Sequence, residues 1–200
     1  MLDILMSKDH AISLLKKDHE DVKCMFDDFK KAKTSAEKEA IIAKTLEALK
    51  LHSIVEEEIF YPTVRGTVGA ELMNEADEEH HVAHMLIAEL EAPGGGGSHR
   101  FAKFVVLGEN IKHHIKEEEN LMMPKAQETK VDFEALGSMM VARKAKLLKN
   151  GFPMDAETKL LKGKRSADTP AKLATKKKPK VKKMPIPPSQ TLKNGRDLHS

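Results

Sequence analysis

The sequence predicts an all-α protein: an antiparallel up-down four-helix bundle with a short additional C-terminal helix and a disordered basic tail. Three observations predict it. Apolar residues make up 40% of the 200-residue chain, yet aromatics are only 4% and tryptophan is absent. A core of Leu, Ile, Val, Ala and Met suits packed helices better than the aromatic and β-branched strands of a sandwich. Apolar positions recur three and four residues apart over four long segments. A motif also appears twice, His52-x-x-x-Glu56 running on to Pro62 and His114-x-x-x-Glu118 running on to Pro124, which divides the chain into two similar hairpins.

The first helix is expected to start after Ser7 as N-cap and to run to about Lys31, with Ile12, Leu15, Val22, Phe26 and Phe29 as its apolar stripe. The second starts near Thr34 or Ser35 and runs to about Tyr61, carrying Ile42, Leu46, Leu49 and Ile59/Phe60 inward; Pro62 and Gly66 mark its end. The third covers about 68–91, with Met73, Ala76, Ile87 and Leu90 on one face. The run from Pro93 to Ser98, with four glycines, reads as a flexible connection. The fourth helix runs from about Ser98 to Met123, with Phe104, Leu107, Ile111, Ile115 and Leu121/Met122 inward. A shorter helix from about Asp132 to Lys149 is stopped by Asn150-Gly151 and Pro153. Residues 1–150 thus form the bundle, and 151–200 form a Lys- and Pro-rich tail expected to be disordered.

Charge follows that division. Residues 142–200 hold 17 Lys/Arg against 4 Asp/Glu, a net of +13, and the preceding residues carry a net of −10. The lysine run from Lys176 to Lys183 suits non-specific, salt-sensitive contact with DNA phosphates, but offers no aromatic ring for base stacking. It suits equally a solvated tail, or one that pairs with the acidic bundle. No run approaches the roughly 20 apolar residues of a spanning helix, so no membrane role is expected. A lone cysteine, Cys24, excludes an internal disulfide framework. With no basic leader visible at the N-terminus, a cytoplasmic protein is expected.

The phase of the polar residues carries the chemistry. His19 lies on the stripe between Leu15 and Val22; His52 and Glu56 continue Leu46 and Leu49; His80 and His84 lie between Ala76 and Ile87; His114 and Glu118 continue Leu107 and Ile111. Residues i and i+4 share a helix face, so all four helices point imidazoles or carboxylates into the bundle. Unpaired, a buried carboxylate is costly. A single inward histidine is more often a hydrogen-bonded core residue, and one His-x-x-x-Glu is common on a wet face. Seven such groups on four inward stripes point to metal. Imidazole with carboxylate suits iron, zinc or manganese, and the lack of thiolates argues against a structural zinc site. Seven donors are too many for one ion and natural for two. With both glutamates and an oxo or hydroxo group as bridges, about eleven of twelve positions fill, leaving one for a diatomic or peroxide ligand. His81 and His113 fall off the stripes and are expected at the surface, and Glu57 and Glu119 are expected outward or orienting an imidazole N–H. Tyr61 lies near the bundle end, where it either touches the site or caps it.

The chain resembles the hemerythrin family in its bacterial HHE cation-binding form. The residues that carry the resemblance are Asp18-His19-Glu20, His52-x-x-x-Glu56, Glu79-His80-x-x-x-His84 and His114-x-x-x-Glu118, with Phe60-Tyr61-Pro62 and Met122-Met123-Pro124 after them. It spans about residues 8–127. It implies a cofactor of two non-haem iron ions with His19, His52, His80, His84 and His114 as terminal ligands and Glu56 and Glu118 as bridges. The function it implies is oxygen binding, sensing or storage, or iron binding. Two alternatives stand beside it: a redox enzyme consuming peroxide or nitric oxide at the same iron pair, and a DNA-associated iron or redox sensor using the basic tail.

Overall fold

The computed structural model describes residues 10–92, 94–95, 97–153 and 159, and every described segment of length is helical. The chain divides into a unit Met1–Asp168 and a unit Thr169–Ser200; all described residues belong to the first. The tail expected to be disordered and the Ser7 cap lie outside the described residues.

The first helix, α1 (Ala11–Lys31), begins later than Ser7 would have it. His10 takes the N-cap backbone position with no side-chain cap, and its ring stacks on Phe133 at 5.2 Å. Helix α2 (Ser35–Val55) opens on a capping box: Thr34 Oγ1 accepts from the Glu37 N–H at 3.1 Å, and Glu37 Oε2 accepts from the Thr34 N–H at 3.0 Å. Helix α2 does not stop before Pro62. It widens into a π-helical turn, Glu56–Phe60, and resumes as α3 (Tyr61–Val68). The Tyr61 N–H reaches back five residues to the Glu56 carbonyl, and this wider register accommodates a proline that has no N–H to give. The break falls at Gly69, not Gly66; its φ of +98° is open to glycine.

Helix α4 (Ala70–Glu91) leads to hydrogen-bonded turns, in which Arg100 Nη1 donates to the carbonyl of Gly95 at 3.0 Å. The described part of the glycine run is therefore tied down where a flexible connection was expected. Helix α5 (Arg100–Glu117) repeats the behaviour of α2: a π-helical turn, Glu118–Met122, then α6 (Met123–Gln127) with Pro124 in its first turn. The extra residue rotates the stripe, so Met122 is buried while Leu121 is 47% exposed. Helix α7 (Phe133–Asn150) starts on Asp132, whose Oδ1 accepts from the Glu134 and Ala135 N–H groups. It packs on α1 and α2. Asp18 bonds to Lys144 on it, and Glu58 accepts two bonds from Arg143.

Hairpins α1–α2 and α4–α5 form the bundle. Their buried side chains form two separate apolar clusters. One gathers Leu15, Val55, Phe60, Met73, Ala76 and Met122 with α7's Phe133, Leu136 and Met140. The other gathers Val22, Phe26, Leu46, Leu49, Ala83, Ile87, Phe104, Leu107, Ile111 and Ile115. The inward polar residues form the layer between them. Among the described residues no helix is long and apolar enough to cross a membrane.

Candidate metal centre

That polar layer has an internal two-fold relation. The offset between the hairpins is 61 or 62 positions, so His19 corresponds to His80, His52 to His114 and Glu56 to Glu118. The imidazoles meet in two pairs. His19 Nε2 stands 3.2 Å from His52 Nε2, and His80 Nε2 stands 3.2 Å from His114 Nε2. The two glutamates lie between the pairs. Glu56 Oε2 is 3.0 Å from His52 Nε2 and 3.5 Å from His80 Nε2; Glu118 Oε2 is 3.1 Å from His19 Nε2 and 3.9 Å from His114 Nε2. Each carboxylate therefore reaches both pairs. The donor atoms of His19, His52, Glu56 and Glu118 all lie within 4.8 Å of one another, as do those of Glu56, His80 and His114.

The π-helical turns begin at the two glutamates themselves. Widening the helix there is how each strip of backbone turns a carboxylate toward the axis while its histidine, one turn earlier, keeps the α-helical phase.

Each inward imidazole is held from behind. His19 Nδ1 bonds to Glu119 at 2.9 Å, His52 Nδ1 to Asp18 at 3.2 Å, His80 Nδ1 to Glu57 at 2.8 Å and His114 Nδ1 to Glu79 at 2.8 Å. Each carboxylate neighbours a different inward residue in sequence, so the four supports obey the same two-fold relation. A carboxylate on Nδ1 fixes that proton there and turns Nε2 inward as a lone-pair donor.

The electrostatics are those of a site short of positive charge. All four carboxylate oxygens of Glu56 and Glu118 are buried with no aligned hydrogen-bond partner, although both side chains are essentially fully enclosed. Burial opposes a charge on His52, but Glu56 and Asp18 outweigh it and push the imidazole up to about 10. Burial likewise opposes charge on His80, while Glu56 and Glu57 push it up to about 9. His19 is raised against its burial by Glu118 and Glu119. Burial would lift Glu56, yet His52 and His80 hold its carboxyl well below the usual carboxylate range. Protons occupy the place where cations would go.

Metal–nitrogen and metal–oxygen bonds of about 2.0–2.2 Å put neighbouring donors roughly 2.8–3.6 Å apart in octahedral or tetrahedral geometry. The separations of 3.0–3.5 Å across both halves fall in that range. Chemistry of the donor set, spacing and orphaned carboxylate oxygens all fit cations.

Of the seven residues expected to bind metal, the structure brings six together. His84 stands aside: its Nε2 lies 3.1 Å from Ser53 Oγ and 3.3 Å from Glu57 Oε1. It lines a cavity of about 20 Å³ beside the centre, walled by Val22, Leu49, Ile87, Ile111 and Ile115, with room for one water-sized molecule. Sequence reasoning left Tyr61 open between two positions. Its hydroxyl reaches the centre, 3.1 Å from His80 Nε2 and 3.4 Å from His114 Nε2. Burial, with Glu118 and Glu56 behind it, raises the phenol well above its ordinary value. Asp18 and Glu79 were quoted only as parts of a motif; their signal was the acid immediately before a histidine in both hairpins. Glu57 and Glu119 do orient imidazole N–H groups. Exposed Cys24 sits beside Glu20 and is raised by partial desolvation and neighbouring carboxylates, which works against a reactive thiolate.

Comparison with known proteins agrees with this geometry. The family model described as Hemerythrin HHE cation binding domain matches residues 10–126. The fold is similar to the crystal structure of a hemerythrin HHE cation binding domain-containing protein from Mycobacterium kansasii, with a TM-score of 0.59 and 22% identity over 71% of this chain and 93% of that one. No curated protein matches the chain.

Proposed function

The chain belongs to the hemerythrin HHE cation-binding family, and we propose that its centre holds two iron ions and binds dioxygen or a related small molecule. The observation that carries this reading is the set of four buried, unpartnered carboxylate oxygens between two imidazole pairs. One ion would be held by His19 and His52, the other by His80 and His114, with Glu56 and Glu118 spanning both. His84, the seventh residue of the expected set, lines the small-molecule cavity instead of the interior of the cluster. An iron pair supplies exchangeable electrons and affinity for small oxygen species.

The chain's own groups do the rest. Asp18, Glu57, Glu79 and Glu119 hold the Nδ1 protons and so present every Nε2 inward. The apolar wall keeps bulk water from the cavity, whose size admits only a ligand of a few atoms. The lone Cys24 supports a reducing, cytoplasmic setting.

Tyr61 favours a second reading, redox turnover of peroxide or nitric oxide. Its phenol keeps its proton and places it between His80 and His114, where a reaction needs a donor and simple storage does not.

Metal analysis with an absorption spectrum before and after admitting air tests the first reading. About two irons per chain and new near-ultraviolet charge-transfer bands are expected. A folded chain that takes up no iron would end it. Steady-state consumption of peroxide or nitric oxide separates the second from the first, and Tyr61→Phe should depress that consumption while leaving stoichiometric ligand binding intact.

A further inference from the structure

The two-fold relation between the hairpins fails at one place on the outside of the bundle. On α5, His113 and Glu117 immediately precede His114 and Glu118. The corresponding residues of α2 are Leu51 and Val55. Val55 is fully buried in the cluster that α7 closes. The corresponding acid, Asp18, is bonded to Lys144 of α7. Over the first hairpin, then, α7 covers this groove with apolar contacts and a cation. Over the second hairpin the equivalent groove carries His113, Glu117 and Glu79, and the His113 side chain is 59% exposed.

These three side chains converge. His113 Nε2 lies 3.3 Å from Glu117 Oε1 and 3.5 Å from Glu79 Oε1. Their donor atoms are mutually within 4.8 Å. The two measured separations match the roughly 3.3–3.6 Å edges of a tetrahedron with bonds of about 2.0–2.2 Å. One imidazole and two carboxylates suit a divalent first-row cation, with solvent completing the shell. The second oxygen of Glu79 accepts from His114 Nδ1 at 2.8 Å. One carboxylate therefore belongs both to the outer triad and to the support of an inner imidazole.

We propose that Glu79, His113 and Glu117 form a separate outer site for a divalent cation, from which the buried centre is loaded. The loading role rests on the buried centre holding metal; the outer site does not. A cation held there waits beside Glu79, one carboxylate and one imidazole from the interior, on the groove that α7 leaves open. Transfer changes no oxidation state: the cation exchanges Glu117, His113 and solvent for inner donors, and the inner imidazoles release their protons to solvent.

The test uses the full chain with its buried centre already filled with metal. Co(II) is titrated in, and visible absorption is followed against equilibrium dialysis. One further equivalent is expected, with affinity at least tenfold weaker in His113→Ala and in Glu117→Gln. Neither residue touches the buried ligands, so both variants should hold the wild-type inner metal content. Anaerobic Fe(II) uptake by the metal-free chain should be at least fivefold slower in both variants and reach the same final stoichiometry. A further equivalent indifferent to both substitutions, or no further equivalent, overturns the site. Uptake at the wild-type rate in both variants overturns its loading role. A chain that binds only one ion, lost in His113→Ala, would retain the outer site and refute the buried pair.

Discussion

Loading the centre with metal should release protons in a number fixed by its histidines. In the metal-free chain at pH 7, His52 and His80 are protonated, since their imidazoles are raised to about 10 and about 9. Their Nδ1 protons face Asp18 and Glu57, so the proton a cation must displace is the one on Nε2. Two protons therefore leave on loading at pH 7, and His19, also raised, adds to them. The apparent affinity then rises about 100-fold per pH unit, which is roughly 2.7 kcal/mol at about 1.36 kcal/mol for each proton. The slope falls toward one as pH passes about 9. The same protons stabilise the metal-free fold. Because these imidazoles are raised on folding, that stability is fully present below their ordinary value near 6.5 and is lost as pH climbs through about 9 and then about 10. Indicator-dye stopped flow with anaerobic Fe(II) in weak buffer counts the protons, and calorimetry in buffers of different ionisation heat checks the count. Release of fewer than one proton per chain at pH 7, or affinities within threefold of each other at pH 7 and pH 8, would refute this account of the electrostatics.

Glu56→Gln or Glu118→Gln removes a charge that both imidazole pairs share, and metal analysis should find the content reduced to one ion per chain or none; two retained ions would mean that neither carboxylate bridges. His80→Ala should lose at least one ion, whereas His84→Ala, whose ring bonds to Ser53 and Glu57, should keep both, and the same analysis decides between them. At Gly108 an added Cβ would sit 2.8 Å from Phe26 Cδ1. Overpacking of about 1–3 kcal/mol, set against about 1 kcal/mol of helix propensity gained, leaves Gly108→Ala destabilised by about 1 kcal/mol. Thermal unfolding should show that as a drop of about 2–4 °C.

The fold class and six of the seven converging residues were legible because the information is local. A period of three and four places Leu15, His19 and Val22 on one face whatever the rest of the chain does. Helix limits were less legible where the backbone leaves the α-helical register. Pro62 and Pro124 look like stops, and only the five-residue hydrogen bonds from Tyr61 to Glu56 and Met123 to Glu118 show them inside continuing helices. The same change of register exposes Leu121, which simple periodicity buries. His84 shows the complementary limit. Its phase is that of His80, but a phase cannot say that Ser53 and Glu57 on another helix will draw the ring aside. Tyr61 lies beyond a π-helical turn, so no extrapolated α-helical stripe reaches it.

The departures from two-fold symmetry all fall on the side of His80 and His114. Four imidazoles, two central carboxylates and four supporting acids repeat between the hairpins, and a fully symmetric set would make its two ions alike. Tyr61 corresponds to Met123, so a phenol faces His80 and His114 while a thioether occupies the equivalent position near His19 and His52. His84, four residues after His80, corresponds to Lys23, four residues after His19. His113 and Glu117 correspond to Leu51 and Val55, and α7 covers only the first hairpin's groove. On the proposed reading the His19–His52 ion is the enclosed one, backed by α7 and by apolar neighbours. The His80–His114 ion has a proton donor, a neighbouring free imidazole and an open outer groove. Ligand chemistry, if this reasoning holds, belongs to that second ion. Substituting Tyr61 should therefore alter the spectroscopic signature of one iron and leave the other's unchanged, as Mössbauer spectra of the iron-57 protein would resolve; equal changes at both irons would defeat the division of labour.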